Sequence, residues 1–588
     1  MLNKIKSNLT LFAENHRPAL WILLLLLTAV ILFFPVNVTD AYHPIESLYI
    51  FGNQLPLFAI VFYIWLTLLL LLLFSKTGAA KTDWEQLALV SIASMVLLAF
   101  WVIIIPYGRL DFISNSSIVK MIQDAGMIPA GKATYMDFPG SHLLILSLSS
   151  VTGFSIFLTA NLFMVLNAAI FSSLLYLLFN KLLHNSSVAA FAAILLMLGN
   201  QLLARGYTFW PGIISLDLLL AFILVLVHDE SFFLRTTSDR IAALIFLLAT
   251  TIMYFQASIL LPLILIGVYL MQRASKQVSI PLPIIIVFII IPVIWVIYRT
   301  IVVFPLLVNY SDSFLKDIFA GDFLFWVPFY YKANVGETFP EWANLIRLYW
   351  WALIFGLGTI LALVHLFRLK RLTYDEKLVT GGLIGVIFLT IGTTLATPGG
   401  ERFVHFLQYA AFFTIPALVT FLLNIDKRIK GYGFTALVIV SVVIALPTFF
   451  VFNNKIGSDP VHVYDYEPMQ FLGSTLGNNN NIVLFNSYGA AYYYLPDAQY
   501  PSEMNGYYTE ESFWQTIDEG VQVFLQKDRN AVYIINPQTK LTSEIISGIS
   551  VNDPGWQKLE QMLETGHAKL IYNNEYVQLW KPPNETVR

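Results

Sequence analysis

Long apolar segments recur through residues 19–452, and they constrain the fold more than any other feature of the chain. A helix needs about 20 mainly apolar residues to cross the hydrocarbon core of a bilayer. Hydrophobic residues make up 57% of the chain and charged residues 12%, whereas soluble domains contain about 25% charged residues. The sequence therefore predicts a polytopic α-helical membrane protein with about 13 transmembrane helices. The predicted spans are 19–37, 55–75, 86–106, 155–180, 188–204, 213–228, 241–254, 258–272, 280–303, 346–367, 378–396, 403–424 and 432–452.

Two features of these runs qualify the helix count. The runs 241–254 and 258–272 are short for complete spans, and they are predicted to form a tight pair meeting at the sequence YFQAS. The first run follows a basic flank, but it is too long and too uniform for a cleaved signal sequence. It is therefore interpreted as a retained first span.

Basic residues indicate the orientation of the spans. They concentrate at the N-terminus and in alternate loops such as FRLKRLTYDEK and DKRIKG, whereas the intervening loops TDAYHPIES and TPGGER contain few of them. Cytoplasmic loops are enriched in Lys and Arg. We therefore expect a plasma-membrane protein with a cytoplasmic N-terminus, and with the loops after residues 106, 204, 303 and 396 outside.

The C-terminal region, residues 453–588, has a different pattern. Its apolar runs shorten to strand length in NIVLFNS, AVYIINP, AKLIYNN and YVQLWKP, and the sequence GWQKLEQMLETG is typical of a helix. Alternating strands and helices predict a small α/β domain. The expected organisation is a membrane domain over 1–452 followed by an external soluble domain over 453–588.

Charge and cysteine content exclude several functions. A net charge of −3 gives no electrostatic basis for nucleic-acid binding. The chain contains no cysteine, which excludes disulfides, thiolate metal sites and cysteine nucleophiles.

The predicted external loop 107–141 carries the main candidate for chemistry. Asp111 lies within a few residues of a predicted membrane boundary, where an acid is costly unless it has a partner or water. An ordinary solvated Asp at a helix end is the alternative interpretation. Downstream, Ile118, Val119, Ile122 and Met127 are predicted to share one side of a short helix lying on the membrane surface.

The order of features in this loop resembles the first external loop of GT-C membrane glycosyltransferases. An acid follows a membrane helix, a short helix ends in AGMIP, and a Tyr precedes FPGSHLL. The sequences VTGFSIFLTANLFMVLNAAIF and GERFVHFLQYAAFFTIPAL, together with the tail, extend the resemblance over most of the chain from about residue 100. The resemblance implies a polyprenyl-phosphate-sugar donor, inversion at the anomeric carbon and a catalytic role for Asp111.

A polyprenyl-phosphate donor requires a cation at the membrane surface, and the planar guanidinium of Arg matches phosphate geometry. Arg402 is the first candidate, with Arg205 and His405 as further donor-phosphate ligands. An Arg that merely extends to lipid headgroups is the alternative interpretation of Arg402. Glu401 is its expected ion-pair partner.

The remaining candidates are acids and one histidine. Asp217 is a candidate second acid, and Asp137 and His142 are expected to organise the first loop. Carboxylates suit Mg²⁺ or Mn²⁺, but no motif spacing supports a metal site. The tail lacks the Trp-Trp-Asp-Tyr-Gly motif of the related oligosaccharyltransferases, which favours transfer of a single sugar.

Two other functions fit a chain with many spans. A transporter or flippase of lipid-linked saccharides would also carry isolated polar groups in its spans, but it would usually show repeated halves. A membrane scaffold whose tail binds a partner is the third class. The expected partners of the enzyme are the lipid-linked donor, a glycan, lipid or protein acceptor, and membrane lipids.

Overall fold

The structure is a computed structural model, and it describes the chain in segments. The described residues are 12–33, 55–74, 83–102, 110–128, 138–199, 211–228, 237–274, 281–299, 356–368, 372–396, 409–419, 471–472, 483–485, short pieces between 514 and 525, 531–535, 553–573 and 578–582.

Helices make up most of the described part of residues 1–452. In chain order they are α1 (Arg17–Phe33), α2 (Leu55–Phe74), α3 (Asp83–Val102), α4 (Leu110–Ala125), α5 (Gly140–Thr152), α6 (Ile156–Leu183), α7 (Ser186–Gly199), α8 (Pro211–His228), α9 (Thr237–Met253), α10 (Phe255–Ala274), α11 (Leu282–Arg299), α12 (Gly356–Phe367), α13 (Tyr374–Ala396) and α14 (Tyr409–Val419).

The predicted tight pair is confirmed, because only Tyr254 separates α9 from α10. The last predicted span, 432–452, and the aromatic loop 308–350 lie outside the described residues. The total of about 13 transmembrane helices therefore stays a prediction.

Helix α6 shows how the bundle meets its surroundings. Leu158, Leu162, Leu166 and Ile170 recur every four residues and are all exposed, whereas residues on the opposite side, such as Leu175, are buried. A stripe of large aliphatic side chains facing outward is the arrangement expected of a helix in contact with lipid. Among the residues whose side chains the structure describes, α6 is the one helix long and apolar enough to cross a membrane by length and composition, and the apolar stretches found within other helices are 10–17 residues long.

Two helices, α4 and α5, lie between α3 and α6 where the sequence predicted a surface loop. Ile118, Val119 and Ile122 of α4 are buried, as the shared face predicted, but Met127 lies beyond the helix and is 66% exposed. The assignment of Met127 to that face was wrong, because the helix ends at Ala125 and Gly126 has a φ of +63°. Helix α4 also packs against α5 and α6, so it is part of the protein interior and does not only rest on a surface.

Helices α10 and α13 pack more closely than side chains would permit. A Cβ atom placed on Gly381 would lie 2.5 Å from the backbone nitrogen of Val268 and 2.7 Å from its Cα. One placed on Gly385 would lie 2.7 Å from the carbonyl oxygen of Leu263. Small residues four apart allow the backbones of membrane helices to approach in this way. The glycines of α13 therefore set this contact.

The described part of the tail contains a four-stranded sheet in the order β1-β2-β4-β3. Strands β1 and β2 are parallel, and the other neighbours are antiparallel. The elements are β1 (Val483–Phe485), β2 (Ala531–Ile535), α15 (Pro554–Thr565), β3 (Lys569–Asn573) and β4 (Gln578–Lys581). Each sequence predicted as a strand contains one of them, and Trp556 of α15 packs in the same core as β2. The external position of this region stays a prediction.

Candidate functional site

Asp111 lies in the first turn of α4, immediately after Leu110 begins the helix. The backbone thus places the predicted catalytic acid at the start of a helix, where a negative charge is favourable because backbone N–H groups point outward. The surroundings of its side chain lie outside the described residues.

Asn115 and His142 join α4 to α5. Both side chains are buried, at 1% and 0% exposure, and His142 Nε2 lies 3.0 Å from Asn115 Oδ1. Because an amide oxygen is an acceptor only, the histidine nitrogen carries the hydrogen and donates it. This contact joins α4 to α5, and the expected loop-organising role of His142 stays a prediction.

The start of α5 is held against a third helix. A Cβ atom on Gly140 would lie 3.0 Å from Ile252 Cγ2, 3.0 Å from Met253 Sδ and 3.1 Å from the carbonyl carbon of Ile252. Glycine at this position lets α5 approach the last turn of α9. His142 is therefore carried by a helix end with little freedom to move.

Asp217 lies in α8, close to the second turn after Pro211, and it is 7% exposed. Its Oδ1 atom has no hydrogen-bond partner among the described residues. Burying a carboxylate without partners is costly, so we expect a partner for this oxygen in a ligand or in a residue outside the described ranges. Helix α8 packs against α5, as α4 does.

The other predicted site residues cannot be compared with the structure. Arg402, His405, Arg205 and Asp137, together with Glu401, lie outside the described residues. Among the residues that are described, no three His, Asp or Glu side chains come together as metal ligands would. The predicted phosphate ligands and the divalent cation therefore stay predictions.

Asn115 is the residue that sequence analysis missed. The triplet Asn115-Ser116-Ser117 fits the pattern of an N-glycosylation acceptor, which is typical of a surface position. In the structure all three residues are buried. The spacing of four residues between Asp111 and Asn115 was the available signal, because residues four apart share a helix face.

The chain matches no protein-family model and no curated protein. Among solved structures it is similar to the apo oligosaccharyltransferase of Archaeoglobus fulgidus, at 12% identity and a TM-score of 0.49, over 80% of this chain and 72% of that one. The oligosaccharyltransferase AglB of the same organism, in complex with an inhibitory peptide and a dolichol-phosphate, matches at 12% identity and a TM-score of 0.47, over 80% and 71%.

ArnT from Cupriavidus metallidurans, bound to undecaprenyl phosphate, matches at 13% identity and a TM-score of 0.40, over 86% of this chain and 99% of that one. These neighbours are GT-C glycosyltransferases, the superfamily that the sequence resembles. Since the TM-scores of these three structures are below 0.5, the roles of individual residues are argued only from the sequence and structure of this chain.

Proposed function

We propose that this protein is an inverting glycosyltransferase. It moves a single sugar from a polyprenyl-phosphate donor to a glycan, lipid or protein acceptor on the external face of the membrane. One observation carries the proposal: α4, which bears Asp111, and α8, which bears the buried Asp217, both pack against α5. Two acids that are distant in sequence are thus on helices with a common neighbour, as a site using two carboxylates requires.

The proposed reaction is a single displacement. The acceptor oxygen forms a bond to C1 of the sugar while the bond from C1 to the phosphate oxygen breaks. Asp111 takes the acceptor proton as general base. The polyprenyl phosphate leaves with the electron pair of the broken bond, and the guanidinium of Arg402 stabilises its charge, with Arg205 and His405 as further donors. Attack from the side opposite the phosphate inverts the anomeric carbon.

Asp217 acts as the second acid in this proposal. Its Oδ1, which has no partner in the part of the chain that the structure describes, can accept a hydrogen bond from a sugar or acceptor hydroxyl. Together with Asp111 and Glu401 it carries the oxygen ligands that Mg²⁺ or Mn²⁺ prefers, and such a cation would supply charge neutralisation at the phosphate.

The test uses purified protein in lipid nanodiscs with polyprenyl-phosphate mannose or glucose and a membrane extract as the source of acceptor. We expect free polyprenyl phosphate and a glycosylated product to form in equal amounts. The variant Asp111→Asn keeps the shape of the side chain and loses the base, so turnover should fall at least about 100-fold with an unchanged melting temperature. Full activity of this variant would contradict the role of Asp111.

A flippase gives the opposite result in the same system. Vesicles containing the protein would then move the lipid-linked sugar between leaflets, and no new glycosidic product would form. If the wild type transports the lipid-linked sugar and forms no product, the protein is a transporter and the proposed glycosyl transfer is wrong.

The role of the second acid is tested with Asp217→Asn, which should lower turnover without lowering the melting temperature.

A further inference from the structure

We propose that Asn115 is a positioning residue, and that its hydrogen bond with His142 fixes the rotation of α4 so that Asp111 faces the reacting groups. The proposal rests on the proposed function, since it assigns Asn115 a role at the same site. Neither residue is proposed to touch the substrate.

Helical geometry links Asn115 to the acid. Residues four apart lie about 6 Å apart along a helix axis and about 40° apart around it. Asn115 and Asp111 therefore lie on one face of α4, with Asn115 one turn inside the helix. If α4 rotates about its axis at Asn115, Asp111 rotates about the same axis by a similar angle.

Burial alone does not define the rotation of the part of α4 that is nearest to Asp111. Five successive residues, Asn115 to Val119, are all buried. At about 100° per residue these five side chains surround the whole helix. Further along the helix, Ile118 and Ile122 pack against Leu143 and Leu146 of α5, and Gln123 to Ala125 are exposed. The directional contact of Asn115 adds to this packing at the end of α4 that is nearer to Asp111. Buried polar contacts can specify one arrangement among several of similar energy.

His142 is suited to define that rotation because its own helix is held in place. The close contact of Gly140 with Ile252 and Met253 fixes the start of α5 against α9. His142 lies two residues later and is completely buried. The bond of 3.0 Å between His142 Nε2 and Asn115 Oδ1 thus connects α4 to a fixed reference.

The experiment compares four single variants and the double variant Asn115→Ala/His142→Ala, all of the full chain in nanodiscs. Asn115→Ala and His142→Ala remove the bond, whereas His142→Gln keeps an N–H donor near the position of Nε2. The control is Ser147→Ala on the exposed side of α5, where the hydroxyl only donates to the carbonyl oxygen of Leu143. Turnover is measured with polyprenyl-phosphate mannose or glucose, whichever the wild type uses.

We expect kcat to fall about 100-fold in both alanine variants, as a misplacement of about 1 Å can produce. The KM for the donor should change less than about threefold, because the lost interaction acts in the transition state. His142→Gln should recover most of the activity. The double variant should be no worse than either single one, since both remove the same bond. Unchanged kcat in the alanine variants, or no recovery with Gln, would overturn the proposal.

A second measurement does not depend on turnover. Amide hydrogen exchange of residues 110–116 reports the motion of the first turns of α4. Exchange should be faster in Asn115→Ala than in the wild type and unchanged in Ser147→Ala. If exchange behaves as expected but the wild type shows no glycosyl transfer, the contact stands and the proposed function fails. If the wild type transfers sugar but exchange and kcat are unaffected by Asn115→Ala, the positioning role alone fails.

Discussion

Two contacts between helices in this protein differ in what holds them. Between α10 and α13, glycine residues bring two backbones so close that not even a methyl group would fit at Gly381. Between α4 and α5, a hydrogen bond joins the buried side chains of Asn115 and His142 beside a small apolar contact. The first contact is defined by shape and the second by the direction of a polar group.

The difference follows from what each contact has to do. Backbone contact over several turns tolerates no rotation or sliding of the helices, which suits a part that only supports the fold. A single hydrogen bond contributes little free energy, about 1 kcal/mol, but it selects one orientation. Such a contact fits the proposed role of α4, which is to hold the carboxylate of Asp111 in one direction.

The largest effect is expected where the backbones touch. Gly381→Ala places a methyl group 2.5 Å from the backbone nitrogen of Val268, and neither backbone can move without separating α10 from α13. We expect the free energy of unfolding to fall by about 3 kcal/mol, seen as a lower melting temperature in detergent. If the variant does not fold at all, the yield of monodisperse protein reports the same effect.

The matched control is Gly356→Ala at the start of α12, where nothing lies within 4 Å of the added atom. Alanine favours helix over glycine by up to about 1 kcal/mol, so this variant should be as stable as the wild type or more so. Equal melting temperatures for Gly381→Ala and Gly356→Ala would contradict the close contact of α10 and α13.

Sequence analysis predicted the elements of these regions better than their contacts. Hydropathy and length are local properties, so the runs 241–254 and 258–272 and the strands of the tail could be placed from them. The pattern of two glycines four apart, Gly381 and Gly385, lies in an apolar run and would have predicted a close helix contact. The bond between Asn115 and His142 joins residues 27 apart in sequence. No local pattern distinguishes such an Asn from one on a surface.

A charged contact between α1 and α3 is expected to rank second. Glu85 Oε1 accepts hydrogen bonds from Arg17 Nε and from Trp21 Nε1, each at 2.9 Å, and it also contacts Arg17 Nη2. The side chains of Arg17 and Glu85 are 12% and 21% exposed. Because hydrogen bonds to charged groups contribute more than neutral ones, Glu85→Ala should lower the free energy of unfolding by about 2 kcal/mol.

The variant Glu85→Gln separates the contribution of charge from that of hydrogen bonding. It keeps an oxygen acceptor and loses the charge, so its loss should lie between those of the wild type and Glu85→Ala. The control is the neighbouring Trp84→Phe, because Trp84 is 78% exposed. A Gln variant with the melting temperature of the wild type would show that charge does not contribute here, and a Gln variant less stable than the Ala variant would contradict the expected order.

The smallest effect is expected where a side chain is exposed on the outward side of a helix. Leu166 is 57% exposed in the outward stripe of α6, while Leu175 on the same helix is completely buried. Leu166→Ala should change the free energy of unfolding by less than about 0.5 kcal/mol, since lipid or detergent surrounds the side chain before and after the change. Leu175→Ala, the buried comparison on the same helix, leaves a cavity and should cost at least about 2 kcal/mol. Chemical denaturation of the two variants in one detergent measures the difference, and equal losses would mean that the stripe packs against protein and does not face lipid.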